Sequence, residues 1–182
     1  MSSSAKDNKP RLAVREMVVF AMLGALMFLS RLLMQLLPNI HLVGVLTAAY
    51  AVAFRKKALI PLAVYVVLEG IFSGFSLWWI PYIYIWTVLW GAVMLLPKRM
   101  SKRAQYIVYP IVCALHGLLF GTLYAPVQAL LFGLNFRQML AWIAAGLPFD
   151  VIHAVSNLIA GALIVPLSRL LVRLASSHRM PE

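Results

Sequence analysis

The chain of 182 residues is 63% hydrophobic and only 12% charged, with a mean hydropathy of +0.90. Soluble domains are about half apolar and a quarter charged, so this composition excludes a water-soluble globular protein. The net charge of +11 does not indicate a nucleic-acid-binding patch, because the Lys and Arg residues punctuate apolar runs. Cys113 is the only cysteine, which excludes an intramolecular disulfide bond and a multi-cysteine metal site.

Six apolar runs predict an all-α, polytopic membrane protein built as a bundle of six transmembrane helices. In chain order the runs cover about 12–37, 41–54, 58–72, 77–96, 106–132 and 148–171. The first run is longer than a signal-peptide core and lacks a small-x-small cleavage site, so we predict that it is retained as a helix. The predicted bundle domain covers 12–175, between polar tails at 1–11 and 176–182.

Prolines and basic clusters separate the runs. Pro38-Asn39 ends the first helix, and a basic cluster at 55–57 ends the second. The fifth run is interrupted by Gly117, Gly121 and Pro126, so we expect it to bend or break near its far end. The segment 135–145 predicts a short helix that lies in the membrane interface.

The distribution of basic residues predicts the orientation of the bundle. Of the 16 Lys and Arg residues, 14 fall on one side of the predicted spans and only Arg31 and Arg137 fall on the other. Cytoplasmic loops carry an excess of Lys and Arg, so both termini are predicted to be cytoplasmic. The 14 residues are Lys6, Lys9, Arg11, Arg15, Arg55, Lys56, Lys57, Lys98, Arg99, Lys102, Arg103, Arg169, Arg173 and Arg179.

Charged and polar residues within predicted spans are expensive in a membrane and indicate candidate functional positions. Arg31, Glu69 and Asp150 lie toward the outer ends of their helices, where they either line one pocket or pair structurally. Asp150, His153 and Asn157 are spaced i, i+3, i+7 and share one helix face. That face offers hydrogen bonds either to a polar solute or to a neighbouring helix.

Two further features have alternative interpretations. His116 lies deep in the fifth run, where it is a ligand contact or a packed core histidine. Trp79, Tyr82, Trp86 and Trp90 recur at helical spacing and form an aromatic stripe that could stack on a ring-bearing ligand. Trp79 also suits an interfacial aromatic belt, whereas Trp86 and Trp90 are too deep for one and are ligand or core residues.

The first helix carries Ala21, Gly24 and Ala25, a small-xxx-small pattern that lets another helix approach closely. The pattern suits either packing within the bundle or docking of a partner. The sequence contains no Walker, HExxH or Gly-x-Ser-x-Gly motif, so we predict no enzyme activity and no ATP hydrolysis in this chain.

Specific segments connect these features to a known family. Gly146-Leu147-Pro148-Phe149-Asp150-Val151-Ile152-His153 is similar to a Gly-x-Pro-Phe-Asp-x-x-His opening, and Leu37-Pro38-Asn39 follows the first helix. With the Ala21-xxx-Ala25 element, the length and the six predicted helices, the chain resembles the substrate-binding S component of energy-coupling factor (ECF) vitamin transporters. The resemblance covers nearly the whole chain.

The resemblance implies a multi-pass protein of a prokaryotic plasma membrane that captures a vitamin or related micronutrient in an outward-facing pocket. It also implies docking, through Ala21, Gly24 and Ala25, onto a transmembrane coupling subunit that two cytoplasmic ATPases drive. We expect no cofactor, metal ion or nucleic acid. The candidate substrate-binding residues are Asn39, His41, Glu69, Trp79, Tyr82, Trp86, His116, Asp150, His153 and Asn157.

Two other functions stay open on sequence grounds. The first is an intramembrane enzyme that uses Asp150 and His153 as an acid–base pair, since their spacing permits a hydrogen bond between carboxylate and imidazole. The second is a membrane assembly protein that binds no ligand and has a well-packed interior.

Overall fold

The structure is a computed structural model that describes residues 14–37 and 40–177, and every regular element within those residues is helical. The α-helices, in chain order, are α1 (Val14–Leu33), α2 (Val43–Phe54), α3 (Leu59–Ser73), α4 (Tyr82–Leu95), α5 (Lys102–Leu118), α6 (Phe120–Phe132), α7 (Phe136–Ala160) and α8 (Ile164–Ser177). Short 3₁₀ turns at Arg55–Ala58, Leu77–Trp79 and Gly161–Leu163 connect three of the pairs. The prediction of an all-α fold is confirmed.

Four helical segments are long and apolar enough to cross a membrane, namely Val14–Leu33, Leu77–Leu95, Lys102–Phe132 and Phe136–Ser176. A span requires roughly 20 residues, and α2 and α3 have 12 and 15 residues. The described residues therefore form a helical membrane protein, while the count of six spans stays a prediction. Residues 1–13 and 178–182, which include most of the predicted tails, lie outside the described part of the chain.

The break predicted near the far end of the fifth run lies instead at its middle, at Leu119 between Gly117 and Gly121, where it separates α5 from α6. Pro126 stays inside α6. The proline ring removes one backbone donor and can bend a helix without ending it. Gly121, beside the break, lies directly against Asp150 of α7.

The prediction of a separate interfacial helix at 135–145 is wrong, because these residues form the first turns of α7. Asn135 caps α7 in a capping box with Gln138, which satisfies two free backbone donors at the true start of the helix. Pro148 lies within α7 instead of opening a new helix. Between Phe136 and Ser177 the chain departs from α-helical geometry only at Gly161–Leu163, before α8.

Helix α2 forms the centre of the bundle. All nine residues from Val43 to Ala51 are buried, because α2 packs against α4, α5 and α8. The outer helices α1 and α7 instead expose many apolar side chains, such as Met22 and Ile159. Apolar side chains face outward at low cost only in a lipid environment, so this burial pattern is typical of a membrane bundle.

Small residues let the helices approach closely at several positions, of which Gly24 and Gly117 are two. A Cβ atom added to Gly24 of α1 would lie 2.6 Å from Val64 Cβ and 2.8 Å from the carbonyl oxygen of Pro61 in α3. A Cβ atom added to Gly117 of α5 would lie 2.9 Å from Asn157 Nδ2 in α7. Glycine is therefore needed at both crossings.

The two ends of the bundle differ in chemistry. One end, which we call the basic end, comprises 55–57, 98–103 and the last turns of α8. There Arg55 donates a hydrogen bond to the carbonyl of Met94 over 3.2 Å, and Lys57 pairs with Glu16 over 2.7 Å. The other end, which we call the aromatic end, carries the Arg31–Glu69 pair and the turn that contains Trp78 and Trp79. These contacts place the starts of α1 and α3 at the basic end and their last turns at the aromatic end.

Candidate functional site

Six aromatic side chains meet inside the bundle, toward its aromatic end, and we call them the ring cluster. Trp86 of α4 lies at its centre and is 1% exposed. Its ring centroid is 5.9 Å from those of His41 and Tyr82, and 5.8 Å from those of His116 and Phe120. The sixth member, His153 of α7, is 4.7 Å from His41 and 5.2 Å from Phe120. The cluster therefore joins the α1–α2 connection to four helices.

The cluster contains polar atoms that are buried without a partner. Trp86 Nε1, His41 Nδ1, His116 Nδ1 and His153 Nε2 make no hydrogen bond to any atom of residues 14–37 and 40–177. An unsatisfied buried polar group costs about 1–3 kcal/mol, so a native interior rarely leaves several together. Their convergence on one set of rings distinguishes this region from ordinary core.

The chemical character of two of these atoms is fixed by the structure. His116 Nε2 lies 3.0 Å from the carbonyl oxygen of Ile85, and since a carbonyl only accepts, Nε2 carries the proton. In the neutral imidazole His116 Nδ1 is then an acceptor, whereas the indole Nε1–H of Trp86 is only a donor. The ring cluster thus offers both a donor and an acceptor to a neighbouring polar group.

His41 lies in the connection between α1 and α2. Burial, together with the positive charge of Arg31, lowers the pKa of His41 to about 4. Its imidazole is therefore neutral at pH 7 and has one donor and one acceptor nitrogen.

The ring cluster brings together five of the predicted substrate-binding residues, namely His41, Tyr82, Trp86, His116 and His153.

The predicted polar face of α7 exists, because Asp150, His153 and Asn157 are the buried residues of that helix. Only His153 belongs to the ring cluster. The Asp150 carboxylate accepts hydrogen bonds from the backbone N–H of Gly121 at 3.1 and 3.2 Å. Asn157 Nδ2 donates to the carbonyl of Cys113 over 3.2 Å. Asp150 and Asn157 therefore hold α7 against α6 and α5, and Asp150 also lines an open cleft beside α6, so both alternatives stay open for it.

Glu69 is fully buried and pairs with Arg31, whose Nη1 lies 3.4 Å from Glu69 Oε2. The pair joins α3 to the last turn of α1, near His41. Structural pairing, the second of the two sequence interpretations, therefore describes the contacts of both residues. The Arg31 guanidinium of this pair lies close enough to His41 to act on its charge.

We expect loss of Arg31 to destabilise the bundle. Arg31→Met leaves the buried Glu69 carboxylate without its cation and should cost about 2–3 kcal/mol, at the low end for buried pairs because Arg31 is 30% exposed. Lys57→Met breaks the Lys57–Glu16 pair, which is 52% and 42% exposed, and should cost less than about 1 kcal/mol. Thermal unfolding in detergent measures both; equal costs would show that burial does not matter to the pair.

The aromatic stripe is divided between different parts of the fold. Tyr82 and Trp86 belong to the ring cluster. Trp79 Nε1 donates to the carbonyl of Val66 over 2.7 Å, and its ring packs on Phe75. Trp90 Nε1 donates to the carbonyl of Arg55 over 2.9 Å at the basic end. Trp79 and Trp90 thus fasten α4 and its preceding turn to neighbouring segments.

An open cleft of about 450 Å³ lies between α6 and α7 and leads to the ring cluster, with which it shares Phe120. Its walls include Tyr124 and Trp142, whose rings stack at 5.8 Å and 18°. Sequence reasoning missed Phe120, Tyr124 and Trp142. Phe120, Tyr124 and Gln128 recur every four residues on α6, and all three line the cleft, so this spacing could have identified them.

The predicted docking residues do not share one environment. Ala21 is exposed and Ala25 is half-buried, whereas Gly24 is buried against α3. Gly24 therefore serves packing within the bundle, and the exposed part of the pattern is Ala21 with the edge of Ala25. Asn39, another predicted site residue, lies outside the described residues.

Within the described residues, no group of three or more His, Cys, Asp or Glu side chains could hold a metal ion. The three histidines of the ring cluster contact other aromatic rings. No protein-family model, curated protein or solved structure matches this chain.

Proposed function

We propose that this protein is the substrate-capture subunit of an ECF-type ATP-driven importer and that it binds a ring-bearing vitamin or related micronutrient at the ring cluster. The observation that carries the proposal is a set of buried polar atoms on rings in mutual contact that have no partner among the described residues, namely those of Trp86, His41, His116 and His153. A bound solute would satisfy them.

The chemistry of the cluster supports a planar ligand with polar edges. Indole, phenol and imidazole rings present flat faces on which a ring can stack. Trp86 supplies a donor and His116 Nδ1 an acceptor, so the ligand edge carries at least one acceptor and one donor. His41, which is neutral at pH 7, also avoids the cost of a buried charge, which favours a solute that is neutral at its buried edge.

The division of the bundle into two ends supports the proposed direction of uptake. The basic end would face the cytoplasm, as cytoplasmic segments are rich in Lys and Arg. The cleft and the ring cluster then lie toward the outside, where a solute is captured. The coupling subunit would dock on α1 through Ala21 and Ala25, and two cytoplasmic ATPases would supply the energy.

The direct test is to denature the detergent-purified protein and identify released small molecules by mass spectrometry. We expect one ring-bearing compound at close to one molecule per chain. The same compound should raise the thermal unfolding midpoint of ligand-free protein. If nothing is released, and if a panel of vitamins leaves the midpoint unchanged, the proposed capture function is wrong.

Docking on α1 makes a separate prediction. Ala21→Leu adds bulk to an exposed position and should abolish ATP-driven uptake by reconstituted complexes while solute binding to the isolated subunit stays unchanged. Leu26→Phe is the matched control, since Leu26 is 49% exposed but lies about 140° around the same helix. Uptake should survive in that variant. Equal losses of uptake, or loss of solute binding in Ala21→Leu, would contradict docking through Ala21.

A further inference from the structure

The basic end contains a second cleft that takes no part in the proposed capture of solute. It has a volume of about 340 Å³ and lies between α2, α5 and α8. Its polar wall consists of Gln105, Arg169 and Arg173, together with two serines, Ser168 and Ser176, and its apolar wall consists of Val52 and Val172. The cleft is therefore cationic on one side and apolar on the other.

One of the two arginines is held in position. Arg169 Nη2 donates to Gln105 Oε1 over 3.5 Å, and the guanidinium lies 5.7 Å from the centroid of the Tyr106 ring. Both contacts come from the first turns of α5. They orient a planar group of several N–H donors toward the cleft, and such a fork matches the oxygens of a phosphate.

The positive charge of this cleft is not neutralised by the part of the protein that the structure describes. Each acidic residue in 14–37 and 40–177 is engaged elsewhere: Glu16 with Lys57, Glu69 with Arg31, and Asp150 with the backbone of Gly121. Arg169 and Arg173 form no ion pair with any of them. An anion from outside the described residues is thus the partner with matching charge.

The surroundings favour a lipid over a soluble anion. Next to the arginines, α8 presents exposed Leu170, Val172 and Leu174, and α5 presents exposed Ile107. Val172 lines the cleft itself, and the other exposed apolar side chains lie on the same two helices, so acyl chains would lie against α5 and α8. Clusters of basic residues at a membrane surface attract anionic headgroups.

We propose that the cleft between α2, α5 and α8 binds the phosphate headgroup of an anionic phospholipid, with Arg169 and Arg173 as its ligands and Ser168 and Ser176 at its edge. The acyl chains lie against α5 and α8. This site is separate from the ring cluster, so lipid binding does not require the solute. A negative result for lipid binding would not contradict the proposed capture function.

The test uses the full chain in nanodiscs of equal parts phosphatidylglycerol and phosphatidylcholine, followed by extraction and native mass spectrometry of retained lipid. The wild type should retain phosphatidylglycerol in preference to phosphatidylcholine. The double variant Arg169→Gln, Arg173→Gln should bind phosphatidylglycerol roughly 30-fold more weakly, which is the loss of affinity expected when two arginines near the membrane surface are removed. Equal retention of the two lipids by the wild type would overturn the proposal.

The matched control is Lys98→Gln, Arg99→Gln, which removes the same charge from exposed positions at the same end but outside the cleft. It should change phosphatidylglycerol retention less than twofold; a loss equal to that of the cleft variant would replace the site with a general charge effect. Inorganic phosphate at the lipid concentration should not displace the lipid, and displacement would assign the cleft to a soluble anion. If the double variant unfolds, the same lipid measurement is made with Arg173→Gln alone, since the Arg173 guanidinium forms no hydrogen bond or ion pair with the described residues.

Discussion

Trp86→Ala is expected to abolish solute binding, because it removes the ring that contacts four other members of the ring cluster. Truncating a buried tryptophan also costs about 3–5 kcal/mol of stability. Binding should therefore be measured by calorimetry, with the compound recovered from the wild type, at a temperature where the variant is still folded. We expect affinity to fall by at least roughly 100-fold, the equivalent of two lost interactions of ordinary strength.

A more conservative pair of variants separates binding from stability. Trp86→Phe and Trp90→Phe each remove one indole N–H from α4. The N–H of Trp90 is bonded to the carbonyl of Arg55, so Trp90→Phe should lower stability by about 0.5–1.5 kcal/mol and leave affinity unchanged. The N–H of Trp86 has no described partner, so Trp86→Phe removes an unsatisfied donor, which offsets the loss of ring volume. The ligand-free stability should therefore stay nearly unchanged, while binding should weaken about tenfold.

The opposite result for Trp86→Phe would contradict the assignment of the ring cluster as the solute-binding site. If Trp86→Phe lowered the unfolding midpoint of the ligand-free protein and left affinity unchanged, its N–H would have a structural partner. The ring cluster would then be a packed core, and the interpretation of this chain as an assembly protein would gain weight.

Gly24→Leu is expected to separate α1 from α3 and to destabilise the bundle strongly. A Cβ atom at this position meets Val64 and the Pro61 backbone at distances below 3 Å, and backbone atoms cannot rotate away. Overpacking of this kind costs about 1–3 kcal/mol, and the additional branched carbons of leucine add to it. The measurement is the thermal unfolding midpoint in detergent.

Gly91→Leu is the matched control for this variant. Gly91 also lies within a helix, α4, but a Cβ atom added there has no neighbour within 4 Å. Replacing a helical glycine by leucine raises helix propensity, so Gly91→Leu should be neutral or slightly stabilising. A stable Gly24→Leu variant that bound solute and failed in uptake would instead assign Gly24 to partner docking.

Much of the helical architecture could be predicted from hydropathy, because an apolar run of sufficient length has few alternatives in a membrane. Pro148 misled the prediction for the last helix. Proline is common at helix starts, but the capping box at Asn135 and Gln138 stabilises an earlier start. That box was visible in the sequence, and its spacing could have been given priority over the proline.

The site was harder to predict than the fold. The spacing of Asp150, His153 and Asn157 defines a shared helix face, but it does not say which neighbour each side chain meets. Asp150 finds a backbone amide only because α6 begins beside it at Gly121, and Asn157 meets α5 because Gly117 leaves room. Such partners depend on where two helices cross, which periodicity along one helix does not encode.

Cys113 has a practical consequence for chemical labelling. Its side chain is fully buried and lies between α2 and α7, with Gly44 beside its sulfur. A membrane-impermeant maleimide should therefore not modify the native protein, and the natural cysteine need not be removed. Single cysteines introduced at Ser73 or Ser101, at opposite ends of the bundle, would then report from intact cells which end faces the medium.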